Sequence, residues 1–318
     1  MKMSTLCRDA LSVLSAFAIL AACGGTQLPP APRDNAAPAR SWSEPQASGA
    51  DILYISDVGT NDVYLYSYPG GALMGTLTGF DAPGHLCSDR NGDVFVTNTN
   101  AQQIVEYEHG ASTPKATLSD RHELPVDCAV DGVTGDLAVT NYGPSGSNRG
   151  NVAIYPGASG KPKLYADRQI LAYLYCAYDR KGDLFVDGLT YKYDFALVEL
   201  PKGKRKFERI TLPQKFTGWG GVQWNGNRLA IGNGAATIYE FAIKGKVAKE
   251  VGSTSLGGAA NVVQFWIGGG KIVGPDGPDG GNKDVGIWSY PAGGQPTQTI
   301  AGPFEDPSGA TVSRASSP

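Results

Sequence analysis

The chain of 318 residues carries 27 Lys and Arg against 30 Asp and Glu, a formal net charge of −3, with 43 Gly, 21 Pro and a hydrophobic fraction of 41%. That apolar content excludes a disordered chain, and the small net charge gives no general footprint for nucleic acid. Glycine lacks an every-third-residue period, which excludes collagen, and the composition is not that of a coiled coil, so a turn-dense all-β protein remains.

In chain order, residues 1–22 come first. Lys2 and Arg8 form a positive n-region, with the acidic Asp9 beside it, and 10–22 is an apolar stretch too short to span a bilayer comfortably. It ends in Leu20-Ala21-Ala22-Cys23-Gly24-Gly25, which resembles the bacterial lipobox. The resemblance implies a lipoprotein signal peptide over 1–22 and lipidation of Cys23; the alternative is an ordinary secretory signal. By analogy with Gram-negative lipoproteins, Gly24 in place of a retention aspartate implies the outer membrane, with the domain in the periplasm or at the cell surface. Residues 23–50, rich in Pro and Ala without apolar periodicity, form a semi-extended tether.

From residue 51 three phrases recur. The first is GDVFVTN (92–98), GDLAVTN (135–141) and GDLFVDG (182–188), with echoes in DILYISD (51–57), NRLAIGN (227–233) and GKIVGPD (270–276). The second follows each of these: DVYLYSYPGG (62–71), QIVEYEHG (103–110), NVAIYPGA (151–158), ALVELPKG (196–203), TIYEFAIKG (237–245) and VGIWSYPAGG (285–294). The third precedes most of the first: HLCSDRN (85–91), DCAVDGVT (127–134), YCAYDRK (175–181), GVQWNG (221–226) and VVQFWIGG (262–269). With a fourth short run, such as KATL (115–118), each unit holds four strands of period-two character joined by Gly, Pro, Asn and Asp turns. Six such units, each of roughly 45 residues, are the size of propeller blades.

The two ends complement each other. The first unit opens at Asp51 on what is a second strand elsewhere, and DPSGATVS (306–313) matches a first strand. The sequence therefore predicts a six-bladed β-propeller over 51–313, its ring closed by 309–313 completing blade 1, and a tail at 314–318. A two-sheet sandwich would not require complementary ends.

Phrases such as CAYDRKGDLFVDG resemble the NHL-repeat and gluconolactonase-like six-bladed propellers, over nearly all of 51–313. The resemblance implies the fold and a ligand site at the channel mouth. Gluconolactonase-like and paraoxonase-like members bind a divalent metal there through a carboxylate and asparagines. In place of their Pro-Asp-Gly and Asn-Gly-Leu motifs this chain has Ala82-Pro83-Gly84-His85 and Leu124-Pro125-Val126-Asp127.

The loops leading into first strands are expected to present His85, Asp127, Tyr175, Trp219, Asn261 and Ser308. Asp57, Asn98, Asn141, Asp187, Asn233 and Asp276 follow the second strands. Of these, Asp57, Asn98, Asp127, Asn141, Trp219 and Asn261 are the candidate ligand-binding set. Oxygen ligands of this kind suit calcium, whereas Asp and Asn at strand ends also cap turns. His85, His122 and Asp127, with Glu123, are the candidates for acid–base chemistry, although no Gly-x-Ser-x-Gly nucleophile accompanies them. Asp276, Asp279 and Asp284 on the glycine-rich blade 6 loop are the candidate metal ligands, in a spacing unlike an EF-hand.

Cys87, Cys128 and Cys176 are expected as unbridged apolar residues between blades, since packed sheets lie roughly 10 Å apart. The basic run Lys202, Lys204, Arg205, Lys206 and Arg209, with Lys244, Lys246 and Lys249, reads as a solvated outer edge, or as a patch for phosphate or an anionic surface. Tyr66, Tyr68, Tyr107, Tyr155, Tyr239 and Trp288 read as packing between blades.

Two functions follow. The first is a monomeric, membrane-tethered binding or scaffold module for a protein or glycan partner, with no nucleic acid. The alternative is a calcium-dependent lactonase-like hydrolase at the channel mouth, with Asp57, Asn98, Asp127, Asn141 and Asn261 around one cation.

Overall fold

The computed structural model describes residues 49–143, 149–216, 218–277 and 280–315. Cys23, the tether up to residue 48 and Asp279 lie outside the described residues.

Six four-stranded antiparallel sheets form six blades, and the first strands of successive blades touch in a closed ring. Five blades run in chain order. In blade 1 the innermost strand is Pro307–Ser313, paired with Ile52–Asp57 in the register Ile52↔Ser313 to Ile55↔Ala310. The first strands of blades 2, 3 and 4 are Pro83–Ser88, Pro125–Val130 and Ile170–Tyr178. Blades 5 and 6 begin with Val222–Asn225 and Trp266–Gly268.

The sequence dictates this arrangement locally. Second strands such as Val94–Asn98 and Leu137–Asn141 are buried along their whole length, because both faces of each sheet pack on neighbouring blades. Outermost strands are more open: of Ala116–Ser119 only Leu118 is buried. The repeated Gly-Asp phrase is a hairpin turn: Asp89 Oδ1 accepts from the amides of Asn91 and Asp93, both at 2.8 Å. Asp179 Oδ1 does the same for Lys181 and Asp183. Gly92, Gly135 and Gly182 hold φ of +90°, +76° and +86° in these turns, a region costly for any other residue. Of the third-strand aromatics, Tyr66, Tyr107, Tyr155 and Trp288 are buried between blades.

One expectation is overturned. Cys87 and Cys128 form a disulfide, with Cα atoms 5.6 Å apart. First strands converge on the axis, so the spacing of flat stacked sheets does not apply there. The register supplies the other half of the reason. Cys87 pairs with Phe95 and Ala129 with Ala138, whereas Leu86 pairs with Val96 and Cys128 with Val139. Cys87 and Cys128 are thus one step out of register, on opposite faces of their own sheets, and face each other across the interface of blades 2 and 3. Cys176 is a buried free thiol, as expected.

Candidate functional site at the channel axis and loop-bearing face

The strand registers define one axial position per blade. Leu86, Cys128, Cys176, Val222 and Ala310 pair with Val96, Val139, Val186, Ile231 and Ile55. One step earlier stand His85, Asp127, Tyr175, Gly221 and Gly309. Extending Trp266↔Val273 in blade 6 places Gln264 at the same position. Sequence reasoning located His85, Asp127 and Tyr175 but gave Trp219, Asn261 and Ser308 for the other three blades, which are displaced by two, three and one residues. Gln264 was missed.

Gln264 bridges the axis. Its Nε2 donates to Asp127 Oδ1 at 2.7 Å and to the Leu86 carbonyl at 3.1 Å, and its Oε1 accepts from the Ala310 amide at 2.9 Å. One side chain of blade 6 thereby ties blades 1, 2 and 3 together. Gly309 is required opposite it: a Cβ there would lie 2.5 Å from Ser56 Oγ and 2.9 Å from Gln264 Oε1.

Asp127 is buried, and its Oδ2 accepts from the Cys176 amide at 3.0 Å. Burial raises its carboxyl to about 8, against the opposing pull of these N–H donors. His85 stacks on the Tyr175 ring, centroids 4.9 Å apart, and burial lowers its imidazole to about 3. Its Nδ1, buried and without a hydrogen-bond partner, faces Asp127 Oδ1 at 3.9 Å. Burial therefore disfavours the charged form of both members of the pair. The adjoining Cys176 thiol is also pushed well up by burial, which makes it a poor nucleophile.

A second ring lies just outside the first. Thr97 Oγ1 donates to the Val126 carbonyl at 2.9 Å and Thr140 Oγ1 to the Leu174 carbonyl at 2.7 Å, each in the next blade. Ser56 Oγ donates equivalently to the Gly84 carbonyl. By register Asp187 occupies this hydroxyl position in blade 4, not the strand-end position that the sequence suggested. Its Oδ1 accepts from the Tyr175 amide at 2.7 Å, its Oδ2 has no partner, and burial raises its carboxyl well above the usual range.

The strand-end residues are caps. Asp57 Oδ2 accepts from the Glu305 amide at 2.8 Å, Asn98 Oδ1 from Asp81 at 2.7 Å and Asp276 Oδ2 from Ala260 at 2.9 Å. Each of these amides lies four residues before its blade's axial position. Asp57 Oδ1 also takes the Thr60 and Asp306 amides, and Asp276 takes those of Asn261 and the Asn282 side chain. Asn141 donates to Asn151 Oδ1 at 3.0 Å inside a buried network with Asp120 and Tyr155. The carboxylate and amide oxygens of Asp57, Asn98, Asp127 and Asp276 are thus engaged by N–H groups, whereas Asn141 Oδ1 is buried without a partner. Among the described residues no group of three or more His, Cys, Asp or Glu could hold a metal ion. His122 stays exposed at φ 73°, and among the described residues no ion pair joins it to Asp127.

Beyond the axial ring the loop-bearing face presents aromatic rings. Tyr142 follows the second strand of blade 3, Tyr191 and Tyr193 that of blade 4, and Trp219 precedes the first strand of blade 5. They are 44–63% exposed, and the Arg149 guanidinium lies over the Tyr191 ring at 5.8 Å. Only Trp219 belonged to the candidate set. The tyrosines carried a signal in their place, directly after apolar second-strand runs on adjacent blades.

No protein-family model matches the sequence. No curated protein matches it either. Solved structures do resemble the fold. A chain of the nidogen/laminin complex superposes with a TM-score of 0.63 at 11% identity, covering 83% of this chain and 99% of that one. A protein of unknown function from Bacteroides caccae gives 0.64 at 9% identity, covering 84% and 100%. A functionally unknown protein from Desulfotomaculum acetoxidans gives 0.56 at 10% identity, covering 82% and 98%. These likenesses establish the six-bladed propeller and nothing finer.

Proposed function

We propose that the chain is an exported, lipid-anchored, monomeric propeller of the NHL-like kind that binds a protein or glycan partner through its loop-bearing face. The observation that carries this reading is the exposed aromatic set Tyr142, Tyr191, Tyr193 and Trp219 on three adjacent blades, over an axis crossed by the Gln264–Asp127 hydrogen bond. Tyr, Trp and Arg are the side chains that dominate binding hot spots, because they combine large contact area with a polar handle. Large apolar side chains gathered on one face mark interaction surfaces.

The test is binding to glycan arrays and to arrayed cell-surface proteins, comparing the wild type with Trp219→Ala/Tyr193→Ala. Specific binding lost in the variant supports the reading, and binding indifferent to both substitutions sinks it. Anchoring is tested separately: radioactive palmitate should label the wild type but not Cys23→Ala, and persistent labelling removes the lipid anchor.

A further inference from the structure

The opposite face, where first strands end and the hairpins turn, carries a groove of about 790 Å³ between blades 3 and 4. Its floor includes Ile154, Tyr165 and Tyr178, half-buried against the core that Leu184 and Leu200 complete. Its rim holds Lys163, Lys202, Lys204 and Arg205. The carboxylates at the groove are already engaged: Asp131 accepts from the Val133 amide at 2.9 Å and Thr134 Oγ1 at 2.7 Å, and Asp136 from the Gly157 amide at 2.9 Å. Lys202 lies 3.8 Å from Asp131, while Lys163, Lys204 and Arg205 join no ion pair among the described residues.

The fold supplies an internal control. The equivalent groove between blades 4 and 5, about 560 Å³, sets Asp179, Asp183, Glu199 and Glu208 against Arg180, Lys181 and Lys246. Lys246 is paired with Glu208 at 3.0 Å. The same place in the repeat thus carries one more acid than base between blades 4 and 5, and two more bases than acids between blades 3 and 4, where Asp131 and Asp136 face Lys163, Lys202, Lys204 and Arg205. Both grooves have an apolar floor, Phe185, Trp224 and Ile243 in the second, so the surplus of cations is what sets the first apart.

We infer that the groove between blades 3 and 4 is a binding site for a single amphiphilic anion, an apolar body bearing a sulfonate, carboxylate or phosphate. The body would lie on Ile154, Tyr165 and Tyr178 and the anionic group on Lys204 and Arg205. The volume lies within the range of small-molecule sites, and charge-assisted hydrogen bonds from a guanidinium and an ammonium are the strong kind. This site is on the face opposite the aromatic loops and does not rest on the function proposed for them.

The probes are 8-anilinonaphthalene-1-sulfonate and its uncharged analogue N-phenyl-1-naphthylamine, followed by fluorescence on the folded chain, with circular dichroism confirming the fold of each variant. Lys204→Glu/Arg205→Glu should weaken the sulfonate roughly tenfold or more. Arg180→Glu/Lys181→Glu, in the neighbouring groove, should leave it unchanged. The inference is overturned if the uncharged analogue binds as tightly, if both double variants weaken the sulfonate equally, or if Lys204→Glu/Arg205→Glu has no effect. Binding to phosphatidylglycerol vesicles without binding of the free sulfonate would also overturn it, since that would be a surface effect of charge alone.

Discussion

Gln264 Nε2 meets Asp127 Oδ1 at 2.7 Å across the propeller axis, so blade 6 is bonded to blade 3 although two blades separate them either way around the ring. With its bonds to Leu86 and Ala310, this one amide satisfies three buried groups. Replacing Gln264 with Leu keeps the bulk but removes all three bonds. Urea unfolding should show a loss of about 2–4 kcal/mol, beyond that of a typical single hydrogen bond. A change under about 0.5 kcal/mol would mean that the axis is not a structural joint.

The axial acids set a pH dependence whose sign can be worked out. Asp127 is raised from 3.8 to about 8, so the folded chain keeps a proton that the unfolded chain releases, and this group makes stability fall as pH rises through that window. His85 is lowered from 6.5 to about 3, so the unfolded chain binds the proton first and stability rises with pH across that interval. The two oppose each other at acidic pH. Above 6.5 only the carboxyl contribution persists, with Asp187 acting in the same direction. The urea midpoint should drop between pH 6.5 and 8, and Asp127→Asn should make that drop smaller. Equal slopes in the two proteins would refute the assignment.

The disulfide implies a second site for one. Ala129 is the register counterpart of Cys87 and Cys176 that of Cys128, and Ala129 and Cys176 pack in the same cluster between blades 3 and 4. Ala129→Cys should therefore cross-link spontaneously to Cys176 in an oxidising environment. Mass spectrometry of non-reduced peptides would show the link. Closing a loop of this length should add about 3–4 kcal/mol if the native geometry is unstrained. Free thiols at both positions would disprove the register argument.

Asp187 interrupts the ring of hydroxyls at Ser56, Thr97 and Thr140. Asp187→Thr should restore a donor to the next blade and keep an acceptor for the Tyr175 amide, as Thr140 does for Asp127 at 3.1 Å. A gain of about 1 kcal/mol or more is expected in thermal or urea unfolding at pH 8, since a titratable acid is also removed from the interior. Loss of stability would show that the carboxyl oxygen is bound more strongly than its counterparts.

The fold was legible because repeat spacing and complementary ends are both sequence properties. Half of the axial ring was legible for a more particular reason. In blades 2, 3 and 4 the axial residue lies four positions before a turn aspartate, Asp89, Asp131 or Asp179, so His85, Asp127 and Tyr175 could be counted back from it. Blades 5, 6 and 1 have Asn225, Gly268 and Ser313 there instead, and the count slipped. The same landmark held the clue to the disulfide: Cys87 stands two residues before its turn aspartate and Cys128 three, an offset of one that puts them on opposite sheet faces. The role of Gln264 was hidden because nothing local marks a side chain whose partners are distant in sequence. The aromatic face was hidden because its tyrosines are not placed at one repeated position.

Ile52 pairs with Ser313 at the strand ends farthest from Tyr142 and Trp219. The segment leading into residue 52 therefore joins the disc on its underside, close to the hub. Residues 49–51 thus enter the propeller on the face that carries the cationic groove, opposite Tyr142 and Trp219.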